Sequence, residues 1–345
     1  MASYRVGITG DMYDKIMAVP TARASLENTP AVEVVRFEHG EDPVGPAELD
    51  AFDAVIAGGL RISHASTNGL RRLSLVVRFG AGYDRVNLGG CSEAGVIVAT
   101  TPKGIQRAMS TAAMAHILAL STKYLFKRRC LYEGRWHEAA AAEHIGMGLA
   151  GRSVGYVGFG NIGQDLYRLI QPFEMRHLVY DPYLADDAAG GFVIERVDFS
   201  TLLAQSDIVV LLCLLTDETH HLIDEDALRR MKDTAYLINV ARGAIIDQAA
   251  LARALAGGQI AGCGLDAYDP EPIATDDPLL VQDNANLTPH ALGYTDEMIR
   301  LCSELCVEAA LKVRRGEEPA SVINREVLQS TKLQGKMEKY RKQGD

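Results

Sequence analysis

Three side chains in the second half of the chain carry chemistry that fits together: Arg242, Glu271 and His290. Arg242 follows an apolar run in Asn239-Val240-Ala241-Arg242-Gly243. A guanidinium is a planar fork that takes a carboxylate through two hydrogen bonds, so it suits an acidic substrate. A helix cap or a pair with Asp247 is the plainer alternative. Glu271 lies between Pro270 and Pro272, which restrict where its carboxylate can point; an exposed loop acid is the alternative there. His290 ends the run Thr288-Pro289-His290. Imidazole is the usual proton donor and acceptor near neutral pH, and a carboxylate on one ring nitrogen fixes the tautomer and favours the imidazolium. Together the three supply an anion binder, an acid/base and its orienter. Hydride transfer at a hydroxyl-bearing carbon beside a carboxylate requires that set.

A hydride needs a carrier, and the middle of the chain provides a place for one. Val154 to Val157 is strand-like and leads into Gly158-Phe159-Gly160-Asn161-Ile162-Gly163. Apolar residues at 162, 166, 169 and 170 then suit one helix face. Eighteen residues past Gly163, Leu178-Val179-Tyr180 ends in Asp181. Glycines at this spacing could arise by chance in a chain with 32 of them. The strand before, the helix after and the distal acid make it a dinucleotide fingerprint. Gly158, Gly160, Asn161, Ile162 and Gly163 are expected to place a pyrophosphate at a helix N-terminus, and Asp181 to accept hydrogen bonds from a ribose diol.

The flanking elements alternate strand and helix. Expected strands are 4–9, 32–37, 54–57, 73–79 and 96–100, then 154–157, 177–181, 193–197, 208–213, 235–240, 260–266 and 286–288. Expected helices between the later strands lie near 161–171, 200–205, 224–231 and 247–257. The first group reads as a small parallel-sheet domain and the second as a doubly wound sheet. Between them, Thr101-Pro102-Lys103-Gly104 reads as a break, and 108–125 as a buried core helix with Ser110 and Thr111 as candidate N-caps. A last amphipathic helix is expected over 295–314. The basic stretch 332–342 reads as a solvated surface segment.

Composition narrows the class. At 345 residues and 48% hydrophobic content, the chain can form about two domains with substantial cores. A net charge of −10 argues against nucleic-acid binding. Six scattered cysteines form no Cys-x-x-Cys pair, which fits small core residues in a reducing, cytoplasmic compartment. No signal peptide or membrane-length apolar run is visible, so no membrane partner is expected. Nothing points to a metal cofactor.

In these motifs and their order the chain resembles the D-isomer-specific 2-hydroxyacid dehydrogenase family over nearly its whole length. Arg78-Phe79-Gly80-Ala81-Gly82-Tyr83-Asp84 is similar to that family's N-terminal substrate loop, and Gly151 through Gly163 to its cofactor loop. Asn239 to Gly243, Leu265-Asp266, Glu271-Pro272 and Pro289-His290 follow in the family's order. The resemblance implies an α/β fold of two Rossmann-like, doubly wound parallel-sheet domains with a cleft between them. It places the substrate domain at 1–102 plus 293–325, the NAD-binding domain at 103–292 and a C-terminal tail at 326–345. It implies NAD-dependent reduction of a small 2-oxo acid, of the glyoxylate or hydroxypyruvate type, to the D-2-hydroxy acid. His290 is then the proton donor, Glu271 its holder, and Arg242 the group that polarises the carbonyl and binds the carboxylate. Backbone N–H groups of Ala81 and Gly82 bind the same carboxylate. Asp181 favours NAD over NADP, Asp266 lies near the nicotinamide, and the Val240 carbonyl meets its carboxamide.

There are departures. Met109-Ser110-Thr111 stands where the family often has Val-Ala-Glu, and Leu212-Cys213-Leu214-Leu215-Thr216 where it often has His-Cys-Pro-Leu-Thr. Asp266-Ala267-Tyr268 replaces Asp-Val-Phe, a change expected at the substrate wall. Hydrophobic 108–150 points to a homodimer, with Trp136 packing or reaching a partner. Two other readings stay open: a dehydrogenase of another small anion, such as formate, and an NAD-sensing corepressor-like binding protein on the same scaffold. Formate enzymes typically lack the Glu before the histidine.

Overall fold

A computed structural model describes residues 3–40, 42–185 and 190–341. The chain divides into two compact units, residues 1–105 with 294–345, and residues 106–293.

The first unit holds a five-stranded sheet of β1 (Tyr4–Thr9), β2 (Val32–Phe37), β3 (Ala54–Ala57), β4 (Leu75–Arg78) and β5 (Ile97–Thr100). All pairings are parallel, in the order β2-β1-β3-β4-β5. The three strands β3, β4 and β5 are wholly buried, as apolar runs in a sheet covered on both faces must be. Helix Asp296–Arg314 returns to this unit, where Cys306, Val307, Ala310 and Val313 join the core. Its N-cap is Thr295, whose hydroxyl accepts the Met298 N–H at 3.2 Å.

The second unit holds β6 (Ser153–Val157), β7 (Arg176–Tyr180), β8 (Glu195–Arg196), β9 (Ile208–Leu211), β10 (Tyr236–Asn239), β11 (Gly262–Leu265) and β12 (Ala285–Leu287). This sheet is also parallel, ordered β12-β11-β10-β9-β6-β7-β8. The chain runs outward from β6 to β8, then restarts beside β6 and runs the other way. The β6/β9 boundary is therefore the topological switch point, where open α/β sheets bind ligands at the carboxyl ends of their strands.

Two expectations are corrected. The segment at Pro102 is no break: one helix spans Pro102–Ser121, because proline is well suited to a first helical turn whose N–H groups have no partner anyway. Ser110 is therefore mid-helix and caps nothing; its hydroxyl bonds the Asp165 carboxylate at 2.5 Å. A separate helix, Tyr124–Tyr132, follows after Lys123 in a left-handed conformation.

The segment 332–342 is also not a solvated face. It lies largely in a helix, Thr331–Arg341, on which Leu333, Lys336 and Met337 are buried; Lys342 falls outside the described residues. The Lys336 ammonium donates to the carbonyls of Leu73 at 2.6 Å, Ala94 at 2.8 Å and Gly95 at 3.3 Å. Burial pulls its pKa down to about 8, while the three acceptors fill its three donors. Among the described residues no helix is long and apolar enough to cross a membrane. All six cysteines are free.

Candidate active site

The glycine loop sits directly after β6, at the switch point. Gly158 has φ +92°, and a Cβ there would lie 2.8 Å from the Cys213 nitrogen, so only glycine lets the β6 and β9 loops approach. A Cβ on Gly163 would meet the Gly158 carbonyl at 2.9 Å, which keeps the helix Asn161–Ile170 close to its strand. Gly160, in contrast, faces open space, with nothing within 4 Å of such a Cβ. No side chain caps this helix, so its first N–H groups, at Asn161, Ile162 and Gly163, are available to an anion. An open glycine over an uncapped helix start suits a pyrophosphate. Leu212-Cys213 packs against this loop, and burial pushes the Cys213 thiol up to about 11, so it stays neutral.

Asp181, just past β7, has a second task that spacing alone does not reveal. One carboxylate oxygen accepts the Phe159 N–H at 2.8 Å and the other the Tyr183 N–H at 3.0 Å. It therefore braces the glycine loop, and its remaining lone pairs are what a ribose diol can use.

Arg242, Glu271 and His290 follow three adjacent strands, β10, β11 and β12. Asn239, fully buried at the end of β10, shapes the first turn: its amide donates to the Arg242 carbonyl at 2.8 Å and its oxygen accepts the Ala241 N–H at 3.0 Å. Gly243 comes next. A Cβ there would lie 1.9 Å from the Tyr268 carbonyl carbon, so the turn bearing Arg242 presses on the loop bearing Glu271. Val240 is buried, and its carbonyl takes no hydrogen bond from the described residues.

The Glu271 carboxylate faces His290 with both oxygens, 2.8 and 2.9 Å from Nδ1. One of them also accepts the Tyr268 N–H at 2.9 Å, which closes a tight turn and aims the side chain. Burial works to raise the Glu271 pKa; the His290 hydrogen bond, the Tyr268 N–H and the positive charges of His290 and Arg242 outweigh it, and the net shift is downward. The carboxylate is therefore ionised at neutral pH. His290 itself has φ +51°, a left-handed conformation that costs roughly 1–3 kcal/mol outside glycine and concentrates at functional sites. With Nδ1 held by the carboxylate, Nε2 is the nitrogen left to face a substrate.

Asp266 is where the structure adds most. It is buried, and its carboxylate accepts the Thr288 hydroxyl at 2.7 Å, the Ala291 N–H at 3.1 Å and the Leu292 N–H at 3.2 Å. It clamps both sides of His290. Tyr268 does similar work: its hydroxyl donates to the Leu265 and Thr288 carbonyls at 3.1 and 2.9 Å. Ala267 and Tyr268 are both buried, so Tyr268 also serves as a brace beneath the His290 turn.

Ala81 and Gly82 belong to the first unit, in the loop after β4. Thr101 fixes the start of that loop by accepting the Gly80 N–H at 2.8 Å, and Gly80 takes φ +115°. Arg78, buried at the end of β4, donates to the Gly82 carbonyl at 3.3 Å and also to the Gly58 carbonyl, so it joins the loops after β3 and β4.

The profile of the D-isomer specific 2-hydroxyacid dehydrogenase NAD-binding domain matches residues 114–291. The chain belongs to the D-isomer-specific 2-hydroxyacid dehydrogenase family. It is an oxidoreductase acting on a CH–OH group, and NAD is the cofactor of its second unit. A glyoxylate reductase of Korarchaeum cryptofilum is 37% identical over 258 residues, covering 74% of this chain and 78% of that protein. One from Thermococcus kodakarensis is 33% identical, covering 90% of this chain and 97% of its own length. Among solved structures, the TT0316 protein of Thermus thermophilus has a TM-score of 0.79 at 28% identity, covering 92% of this chain and 99% of that one. A glyoxylate reductase from Paecilomyes thermophila has a TM-score of 0.79 at 27% identity, covering 94% and 98%.

Proposed function

We propose that the chain is an NADH-dependent reductase of small 2-oxo acids, of the glyoxylate and hydroxypyruvate type, in which His290 delivers the proton. The observation that carries this reading is the two-oxygen grip of Glu271 on His290 Nδ1, at 2.8 and 2.9 Å. It fixes the ring's orientation and tautomer and leaves Nε2 to exchange a proton with the substrate, as an acid catalyst must. The bound dinucleotide supplies the hydride. His290 Nε2 gives its proton to the substrate's 2-oxo oxygen, and in the reverse direction takes it from the 2-hydroxyl. Arg242 polarises the same oxygen and binds the carboxylate. The N–H groups of Ala81 and Gly82 bind that carboxylate too. Gly158, Gly160, Asn161, Ile162 and Gly163 hold the pyrophosphate, Asp181 the ribose diol, and the Val240 carbonyl the carboxamide. Asp266 acts chiefly by holding His290 in position. The glyoxylate reductases above support the substrate class.

The same reading takes the enzyme as a cytoplasmic homodimer. The free cysteines fit a reducing compartment. Tyr124, Leu131, Tyr132, Trp136 and Ile145 are all exposed on one stretch of the second unit, an apolar surface that a second copy would cover. Light scattering that gives a monomer contradicts the dimer. For the activity, NADH consumption is measured with glyoxylate, hydroxypyruvate, pyruvate and larger 2-oxo acids. Turnover of the small members supports the assignment, and turnover of formate with NAD in place of any 2-oxo acid overturns it.

A further inference from the structure

A second cluster of chemically competent side chains lies beside the proposed catalytic loops. His220, His221 and Asp269 each offer one ligand atom, and these atoms all lie within 4.8 Å of one another. The three come from two separate segments, the turns after β9 and after β11. Side chains of consecutive residues normally diverge. Here His221 takes φ +50°, and the two imidazoles stack with centroids 4.0 Å apart and planes 24° from parallel. A non-glycine residue in that region costs roughly 1–3 kcal/mol, so the local chain holds the rings together against a backbone preference. Asp269 is held from the other side. Its N–H donates to Gln248 Oε1 at 3.1 Å, and the Gln248 amide donates to Asp277 at 2.7 Å. None of the three side chains has a hydrogen-bond or ion-pair partner among the described residues beyond this mutual contact.

Two imidazoles and a carboxylate are a borderline donor set. They suit Zn²⁺ and its first-row neighbours and do not suit Mg²⁺ or Ca²⁺, which favour oxygen throughout. Three protein donors leave a fourth position to water. We propose that His220, His221 and Asp269 form a divalent transition-metal site, with Zn²⁺ its natural class of occupant.

The site's neighbours give it a consequence. The His221 N–H donates to the Ala244 carbonyl at 2.8 Å, two residues past Arg242. Asp269 stands two residues before Glu271, inside the turn closed by the Tyr268 N–H. A bound ion cross-links the turn packed on Arg242 to the loop carrying Glu271, and so restrains both. Occupancy therefore slows turnover. The binding claim stands independently of the proposed substrate and cofactor.

The test is titration of tag-free protein with ZnCl₂ against a chromophoric chelator. Wild type is expected to take one equivalent. His220→Ala and Asp269→Asn each weaken it at least ~10-fold, as loss of a ligand must exceed the effect of losing an outer partner. His221→Gly does the same while keeping the left-handed backbone. All three residues are exposed, so the unfolding curves of His220→Ala and Asp269→Asn match wild type, and His221→Gly is no less stable because glycine suits the left-handed backbone. Affinity follows the order Mn²⁺ < Co²⁺ < Ni²⁺ < Cu²⁺ > Zn²⁺. Zinc slows NADH consumption by wild type and not by His220→Ala. Absence of a stoichiometric equivalent, or equal binding by wild type and the variants, overturns the site; equal inhibition of both proteins overturns its link to turnover.

Discussion

Replacing Glu271 by glutamine tests how a carboxylate governs the proton on His290. In the structure, Oε1 accepts the Tyr268 N–H at 2.9 Å and stands 2.8 Å from His290 Nδ1, while Oε2 stands 2.9 Å from the same nitrogen. Glutamine keeps an acceptor at Oε1, so the turn and the ring orientation survive. It loses the negative charge and puts a donor where Oε2 was. A hydrogen bond to a charged group contributes about 1.5–3 kcal/mol and a neutral one about 0.5–1.5 kcal/mol, so the imidazolium loses roughly 1–2 kcal/mol. The bare Coulomb figure for two charges at 4 Å, about 4 kcal/mol at an effective dielectric constant of 20, is an upper limit that solvent does not allow here. The His290 and Glu271 side chains are 44% and 29% exposed. One to two kcal/mol corresponds to a fall of roughly 5- to 30-fold in 2-oxo acid reduction near neutral pH. The sign is specific. The lost charge faces the ring that must deliver the proton, so reduction is expected to fall more than oxidation of the hydroxy acid. The assay is kcat/KM in both directions near neutral pH, with NADH affinity as control. An equal loss in both directions refutes the argument, because Glu271 would then be structural.

Asp181→Ala is expected to relax the NADH-over-NADPH preference and also to weaken binding of both cofactors, since the Phe159 N–H loses its acceptor. Asp181→Asn, which keeps an acceptor, separates the two effects, and an unchanged cofactor ratio in both variants contradicts the assignment. Gly243→Ala forces a methyl group into the Tyr268 carbonyl and is expected to destabilise the second unit by about 3 kcal/mol or more, seen as a lower denaturation midpoint; a stability within ~0.5 kcal/mol of wild type refutes the contact. His116 is fully buried, both ring nitrogens lack partners among the described residues, and burial lowers its pKa from 6.5 to about 4. Its folded-state pKa is depressed, so the unfolded chain binds more protons between these values. Stability is full above pH 6.5 and falls by about 2–4 kcal/mol as pH drops through 4. His116→Leu should flatten that slope in urea melts, and an unchanged slope places the acid sensitivity elsewhere.

What could be read without coordinates follows a physical divide. The buried strands of a parallel sheet are short apolar runs, so β1 to β3 match their expected spans residue for residue. Arg242, Glu271 and His290 were visible because each follows such a run, where a ligand-facing loop begins. The helix start at Pro102 was misread because proline marks both breaks and first turns. The 332–342 segment reads as solvated because Lys332, Gln334, Glu338 and Lys339 mask a stripe of Leu333, Lys336 and Met337. What spacing could not reveal is which groups the backbone presses together. Gly243 against Tyr268, Asp266 beneath His290 and Asp181 beneath Phe159 are long-range contacts. Local pattern offers only a hint of them: an acid or amide at a strand end, where side chains often bond nearby backbone.

The central claim is that His290 moves the proton, held for that task by Glu271 and Asp266. The direct measurement is a paired experiment on wild type and His290→Ala: NADH titration by fluorescence, then single-turnover NADH oxidation with glyoxylate and hydroxypyruvate. The account predicts equal NADH affinity, rapid oxidation by wild type, and a loss of roughly 10²–10⁴-fold in the variant. NADH binding without turnover of either acid by wild type, or a variant within ~10-fold of wild type, contradicts it.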